Sequence, residues 1–191
     1  MKKLDQIASP EQGKEIMNKC GCILSGKIFE PLKEKFKETG DIDEVLKMKH
    51  EITVQLHERA FKGEINWDVD EQTLELVKNN PQIGSGIRKG NKIYIKKVPF
   101  ASTEYHKTND QQKKRFYYCH CPNVRGSIEL GFDISPIFCH CGGGYFRIFW
   151  ENVLEKPIEV EMVKSIIKGN DSCEFIIHLP ENLMNKDTDT E

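Results

Sequence analysis

Hydrophobic positions follow two regimes along the chain. From residue 9 to about 62 they recur at the three- and four-residue spacing of amphipathic helices, and from Lys92 they alternate in short runs. Ser9, Pro10 and Glu11 form a helix start: a capping hydroxyl, a ring suited to the first helical position, and an acid at the positive helix end. That helix is expected to carry Ile16, Met17 and Cys20 and to end near Gly21. A second, Lys27 to Thr39, stops at Gly40 with Pro31 in its first turn. Asp41 with Glu44 reads as a capping box for a third helix, whose stripe is Ile42, Val45, Ile52, Leu56 and Ala60. His50 and His57 share a face of it, but lie ~10 Å apart along the axis, too far for one ion. Both read as flanking surface residues. A short helix from Glu71 to Lys78, capped by Asp70, follows.

Asn79-Asn80-Pro81 and Gly84-Ser85-Gly86 break the helical pattern, and Lys92 to Val98 alternates as a strand. A polar loop, Thr103 to Lys114, leads to Arg115–Cys121. As a strand, that stretch would set Tyr117, Cys119 and Cys121 on one side and Phe116, Tyr118 and His120 on the other. Tyr145 to Leu154 predicts a largely buried helix through Phe146, Phe149, Trp150 and Val153. Ile158, Val160 and Met162 then alternate with acids, Lys168-Gly169-Asn170-Asp171 turns the chain, and Cys173, Phe175, Ile177 and Leu179 form the return strand. The fold class is α+β: N-terminal helices followed by a twisted antiparallel sheet with one buried helix packed on it. Residues 1–80 form the helical region, 81–184 the α+β region and 185–191 a polar tail expected to be disordered, the whole making one compact domain.

Composition narrows the class. A chain of 191 residues with 38% hydrophobic and 30% charged content can bury a real core. A formal charge of -2 leaves no electrostatic footprint for nucleic acid or an anionic membrane. No apolar run approaches the ~20 residues of a membrane span, and the N-terminus lacks the apolar segment of a secretory signal. The expected setting is cytoplasmic and reducing, where paired cysteines read as metal ligands or redox thiols rather than as a disulfide framework.

Those cysteines carry the chemistry. Cys119-His120-Cys121 and Cys139-His140-Cys141 repeat one word across a gap of 17 residues, each beside a chain-reversing Pro122 or Gly142-Gly143-Gly144. Two short thiol-bearing loops facing each other would supply four sulfurs, Cys119, Cys121, Cys139 and Cys141, to a tetrahedral zinc at about 2.3 Å. Copper(I) or an iron–sulfur cluster would suit the same donors, and His120 and His140 are alternative ligands. A catalytic reading also has a mechanism. Cys139 and Cys141, just ahead of a helix whose positive end favours a thiolate, would offer a nucleophile, and His140 or His120 would act as base. Cys20-Gly21-Cys22 is a further thiol pair, able to cycle as a dithiol or to join the others. Cys173 reads as an ordinary buried cysteine on the apolar face of its strand. Arg147 and Glu151, one turn apart, read as a weak surface pair.

The stretch FCHCGGGYFRIFWENVLEKPIEVEMVKSIIKGNDSCEFIIHLP adds a resemblance. Its Cys-x-Cys before a helix with Gly144-Tyr145 and Phe149, then Pro157, Val160, Ser165-Ile166, Gly169, Asp171, Cys173, Phe175 and Ile177, resembles the closing segment of uncharacterised prokaryotic domains. These are similar to the amino-thiazoline-carboxylate hydrolase family and, more distantly, to 4-vinyl-reductase-type ligand-binding domains. The resemblance covers residues 138–180 best. It implies an α+β fold able to enclose a small-molecule ligand and, in the hydrolase branch, a cysteine nucleophile aligned with Cys139. The doubled cysteines and the glycines after Cys141 depart from that branch. The first expectation is therefore a sensor or accessory domain binding a soft metal, zinc favoured, and/or a small molecule. A thiol-dependent hydrolase of a cyclic amide-like or thiazoline substrate is the alternative, and a dithiol redox protein the next.

Overall fold

A computed structural model describes residues 6–21 and 29–183. The expectations for Cys22, for the start of the second helix at Lys27 and for the tail 185–191 fall outside those residues. The described elements are α1 (Pro10–Lys19), α2 (Glu30–Thr39), α3 (Ile42–Phe61), α4 (Glu71–Asn79), β1 (Ile87–Lys89), β2 (Lys92–Lys96), α5 (Ser102–Lys107), α6 (Gln111–Tyr118), α7 (Pro122–Leu130), α8 (Cys141–Leu154), β3 (Glu159–Lys164) and β4 (Glu174–His178). No described helix is long and apolar enough to cross a membrane.

The class is α+β. Four strands form one sheet in the order β1-β2-β4-β3, every pairing antiparallel. Alternation fixes the register: Ile93 opposes Ile177, Ile95 opposes Phe175, Val160 opposes Ile177 and Met162 opposes Phe175. All six point to one buried face. Against that face lies α8, presenting Phe146, Phe149, Trp150, Val153 and Leu154, while Leu32 of α2 and Ile42, Val45 and Leu46 of α3 close the same core. Helices from the first third of the chain therefore share one core with the C-terminal hairpin.

The helix starts follow their caps. Ser9 and Gln12 exchange side-chain and backbone bonds at 2.9 and 3.2 Å, completing a capping box on α1. Asp70 accepts from the Thr73 amide at 2.9 Å, and Gly40 ends α2 with a φ of 64°. Asp41 caps α3 by accepting from the Asp43 amide at 2.7 Å, not through the expected Glu44 box.

Several expectations are corrected. Arg115–Cys121 is no strand: Arg115–Tyr118 end α6, capped by Asp110, whose carboxylate accepts from the Lys113 amide at 2.9 Å, and Cys119–Cys121 lead out of it. The supposed loop from Thr103 holds α5, and α7 follows Pro122, so four helices stand between β2 and β3. His57 is not a surface residue but 7% exposed, its Nδ1–H donating to the Thr53 carbonyl at 2.7 Å. Arg147 and Glu151 are partly buried, 2.5 Å apart, and tie three segments together. Arg147 Nε donates to the Asn18 carbonyl at 3.1 Å, and Glu151 accepts from the Ile158 amide at 3.3 Å.

Candidate thiol centre

The first CHC word is the link between two helices. Cys119 leaves α6 in an extended conformation (φ −75°, ψ 127°), and Cys121 does the same (φ −83°, ψ 117°) before Pro122 opens α7. The second word lies in helical turns: Cys139 and His140 end a 3-10 turn (Pro136–His140) and Cys141 begins α8. α8 thus starts four residues earlier than its apolar pattern suggests, with three glycines in its first turn. Gly144 shows why. A Cβ there would stand 2.6 Å from the carbonyl oxygens of both Asn18 and Cys20, so only glycine lets the end of α1 lie on the start of α8.

A third strand of chain enters through the β3–β4 hairpin. Cys173 sits just before β4, its carbonyl accepting from the Lys97 amide at 3.0 Å. It packs against both hydrophobic clusters, as Cys139 does: the large sheet core, and a smaller one made by Tyr118, Cys119, Val124 and Ile166 with Cys121 at its edge. The sequence reading left Cys173 as plain core. It lies among the thiols, and its place in an apolar alternation hid it.

Electrostatics report the same gathering. Burial pushes the Cys119 and Cys139 thiols up to about 12, with Cys173 the first thiol acting on each. Cys121 acts on Cys119 and on Cys173, and Cys141 acts on Cys139 after Cys173 and Cys119. Burial also raises Cys173, opposed by the Ile166 amide and then by the Lys97 ammonium. The S–H of Cys119 points to the Cys121 carbonyl at 3.9 Å. The six described cysteines form no disulfide with one another, and Cys20 is exposed. Its backbone touches α8, and Cys22 lies outside the described residues. Among the described residues, no three His, Cys, Asp or Glu side chains stand together as a ready metal-holding group.

Polar neighbours frame the thiols. Tyr118, 2% exposed, donates its hydroxyl to the Lys97 carbonyl at 2.5 Å. Lys97 was not singled out by sequence. His120 Nε2 donates to the Val98 carbonyl at 2.7 Å, since a carbonyl only accepts, and its ring meets Phe100 edge-on at 5.5 Å. Desolvation of the ring, then Lys97, hold His120 below the usual imidazole range. His140 is 8% exposed, and its Nδ1 has no hydrogen-bond partner among the described residues. Burial, then the Lys168 and Lys14 charges, lower its pKa. A surface hollow of about 370 Å³ lies between α6 and α7, lined by Asp110, Lys113, Phe116, Tyr117, Ile128 and Glu129 among others; no thiol lines it.

Against known families, residues 60–184 match the model of a family of unknown function, DUF6144. The chain belongs to that family. The DUF6144 region holds Cys119, Cys121, Cys139, Cys141, Cys173 and Lys97, and excludes Cys20 and Cys22. No curated protein and no solved structure matches the chain.

Proposed function

We propose that this protein binds a soft metal ion, zinc favoured, through thiolates of Cys119, Cys121, Cys139 and Cys173, as a sensor or accessory domain. One observation carries the reading: thiols from the α6–α7 link, the turn before α8 and the β3–β4 hairpin gather at one desolvated spot beside a single ammonium. Soft thiolates select zinc, copper(I) or iron–sulfur clusters over hard cations, and a bound metal ion removes the protons that burial otherwise holds on sulfur. Cys173 stands in place of Cys141 as fourth donor because it packs with Cys119, Cys121 and Cys139 in the smaller hydrophobic cluster. The hydrolase reading has less support. A nucleophile must ionise, and burial holds the Cys139 thiol up near 12.

Elemental analysis of anaerobically purified protein, with free thiols counted before and after chelation, tests this. Stoichiometric zinc is expected in the wild type. It should be lost in Cys119→Ser and Cys173→Ser, and retained in Cys141→Ser and Cys20→Ser. Metal-free protein in which Cys139 alone is alkylated rapidly would sink the metal site and put the hydrolase first.

A further inference from the structure

Of the described cysteines, Cys139 and Cys173 are the two that pack against both the sheet core and the smaller cluster. Cys119, buried within the smaller cluster, turns its S–H to the Cys121 carbonyl at 3.9 Å, inside its own link. Cys139 and Cys173 meet instead at one short 3-10 turn, Ile166–Lys168. The Ile167 amide donates toward the Cys139 sulfur, and the Ile166 amide toward that of Cys173. Successive residues stand only ~3.8 Å apart along a chain, so the two sulfurs flank the same pair of peptide groups.

Their backbones are fixed from opposite sides. Cys139 lies in the turn that runs into α8, and Cys173 leads into β4 with its carbonyl accepting from the Lys97 amide at 3.0 Å. Along the chain, the whole of α8 and β3 separates them. Closing a disulfide removes two S–H groups and leaves an apolar bridge, which fits a desolvated site better than a thiolate does. We propose that Cys139 and Cys173 are a reversible disulfide pair, a thiol function that needs no metal: oxidation by a low-molecular-weight disulfide bridges the start of α8 to the start of β4.

The chemistry is two exchange steps. One thiol loses its proton to solvent, and its sulfur attacks the small disulfide, forming a mixed disulfide and expelling one small thiolate. The second thiol loses its proton and attacks the protein sulfur of that mixed disulfide, forming the S–S bond and expelling the other small thiolate. The two expelled thiolates take up the two protons. Two protein thiols are thereby oxidised, and one small disulfide is reduced to two thiols. Burial raises both protein thiols, which makes the exchange slow near neutral pH, where the thiolate fraction grows about tenfold per unit of pH. The bridge restricts the unfolded chain by closing a long loop, so the oxidised protein gains stability.

To test this, wild-type protein is equilibrated with oxidised glutathione, with a chelator present so that no metal masks the thiols, and digested without reductant for mass spectrometry. The expected product holds one linked peptide pair, Cys139 with Cys173, lighter than its two reduced peptides together by two hydrogen atoms; the exposed Cys20 lies outside it. It should form about tenfold faster per unit of pH above neutral, unfold at higher urea than the reduced protein, and return to two thiols with dithiothreitol. Cys119→Ser, Cys121→Ser and Cys141→Ser should each still form it, so the pairing is tested even where Cys139→Ser or Cys173→Ser fails to fold. A bridge from Cys139 or Cys173 to any other cysteine would overturn the proposal, and so would a folded wild type in which both remain unbridged at equilibrium. Either result leaves the metal reading to its own measurement, the zinc content of the reduced protein.

Discussion

The sheet core and the thiol junction solve the packing problem with different materials. Among the described residues the core gathers eighteen buried apolar side chains from α2, α3, α8 and three strands, whereas the junction has four, with two further cysteines at its margin shared between both. At ~1.5–3 kcal/mol per fully buried large side chain, the core can hold the fold and the junction cannot. The junction's links are short and irregular, and its sulfurs add little that valine would not. The contrast separates a platform that holds the fold from a thiol-bearing junction whose stability comes from that platform.

The strongest test of that division is Trp150→Ala. Trp150 is 0% exposed, between α8 and the sheet. Its truncation should cost about 3–5 kcal/mol in urea unfolding while leaving metal content per folded molecule unchanged. Loss of metal at urea concentrations where the variant remains folded would break the division, because the core would then be shaping the site.

Lys49 sharpens the contrast from the core side. It is 8% exposed in α3, and Nζ donates to the Gly84 and Ser85 carbonyls at 2.8 and 2.7 Å with the Phe149 ring 5.5 Å away. Burial lowers its pKa from the ordinary 10.5 to about 7. A neutral amine has two hydrogens, enough for two carbonyls, so losing the charge leaves no partner unmet. Between pH 7 and 10.5 the unfolded chain binds more protons at this site than the folded one. Stability should therefore rise with pH across that window, by at most about 1.4 kcal/mol per unit. Lys49→Met should flatten the slope. A wild-type stability that does not rise with pH over this range would mean that Lys49 keeps its charge inside.

How far the sequence disclosed these regions follows the same line. Regular core elements were legible because burial and period coincide: α8 beyond its first turn, the β3–β4 hairpin, and the Asp41 and Asp70 caps all read directly. Inside α3 the stripe misled, since Lys49 and His57 are buried polar residues and Lys49 is satisfied by a loop 35 residues away. The α6–α7 link failed for another reason. Phe116, Tyr117 and Tyr118 favour strands, and that preference outweighed the Asp110 cap and the stop at Pro122, both visible in the chain. Both CHC words were legible as a paired set of cysteines. Cys173 and Lys97 were not, because their meaning lies in hairpin and sheet pairings that bring residues 97 and 173 together.

The smallest expected effect lies where the two regions touch, in the glycines that open α8. Gly144→Ala sets a methyl against two carbonyl oxygens at 2.6 Å, backbone that cannot turn aside, so α1 must separate from α8 at a cost of about 1–3 kcal/mol. Gly142→Ala meets only the edge of Phe175 at 3.0 Å and gains helix propensity, about 1 kcal/mol over glycine. Its unfolding midpoint should stay near that of the wild type. Phe175 is a core ring, 3% exposed, so it can give way only by a few tenths of an ångström. Gly142→Ala should therefore leave both the unfolding midpoint and the number of reactive thiols near those of the wild type. If it proves as destabilising as Gly144→Ala, the whole start of α8 is a packing joint, and the division between platform and thiol junction must be redrawn around it.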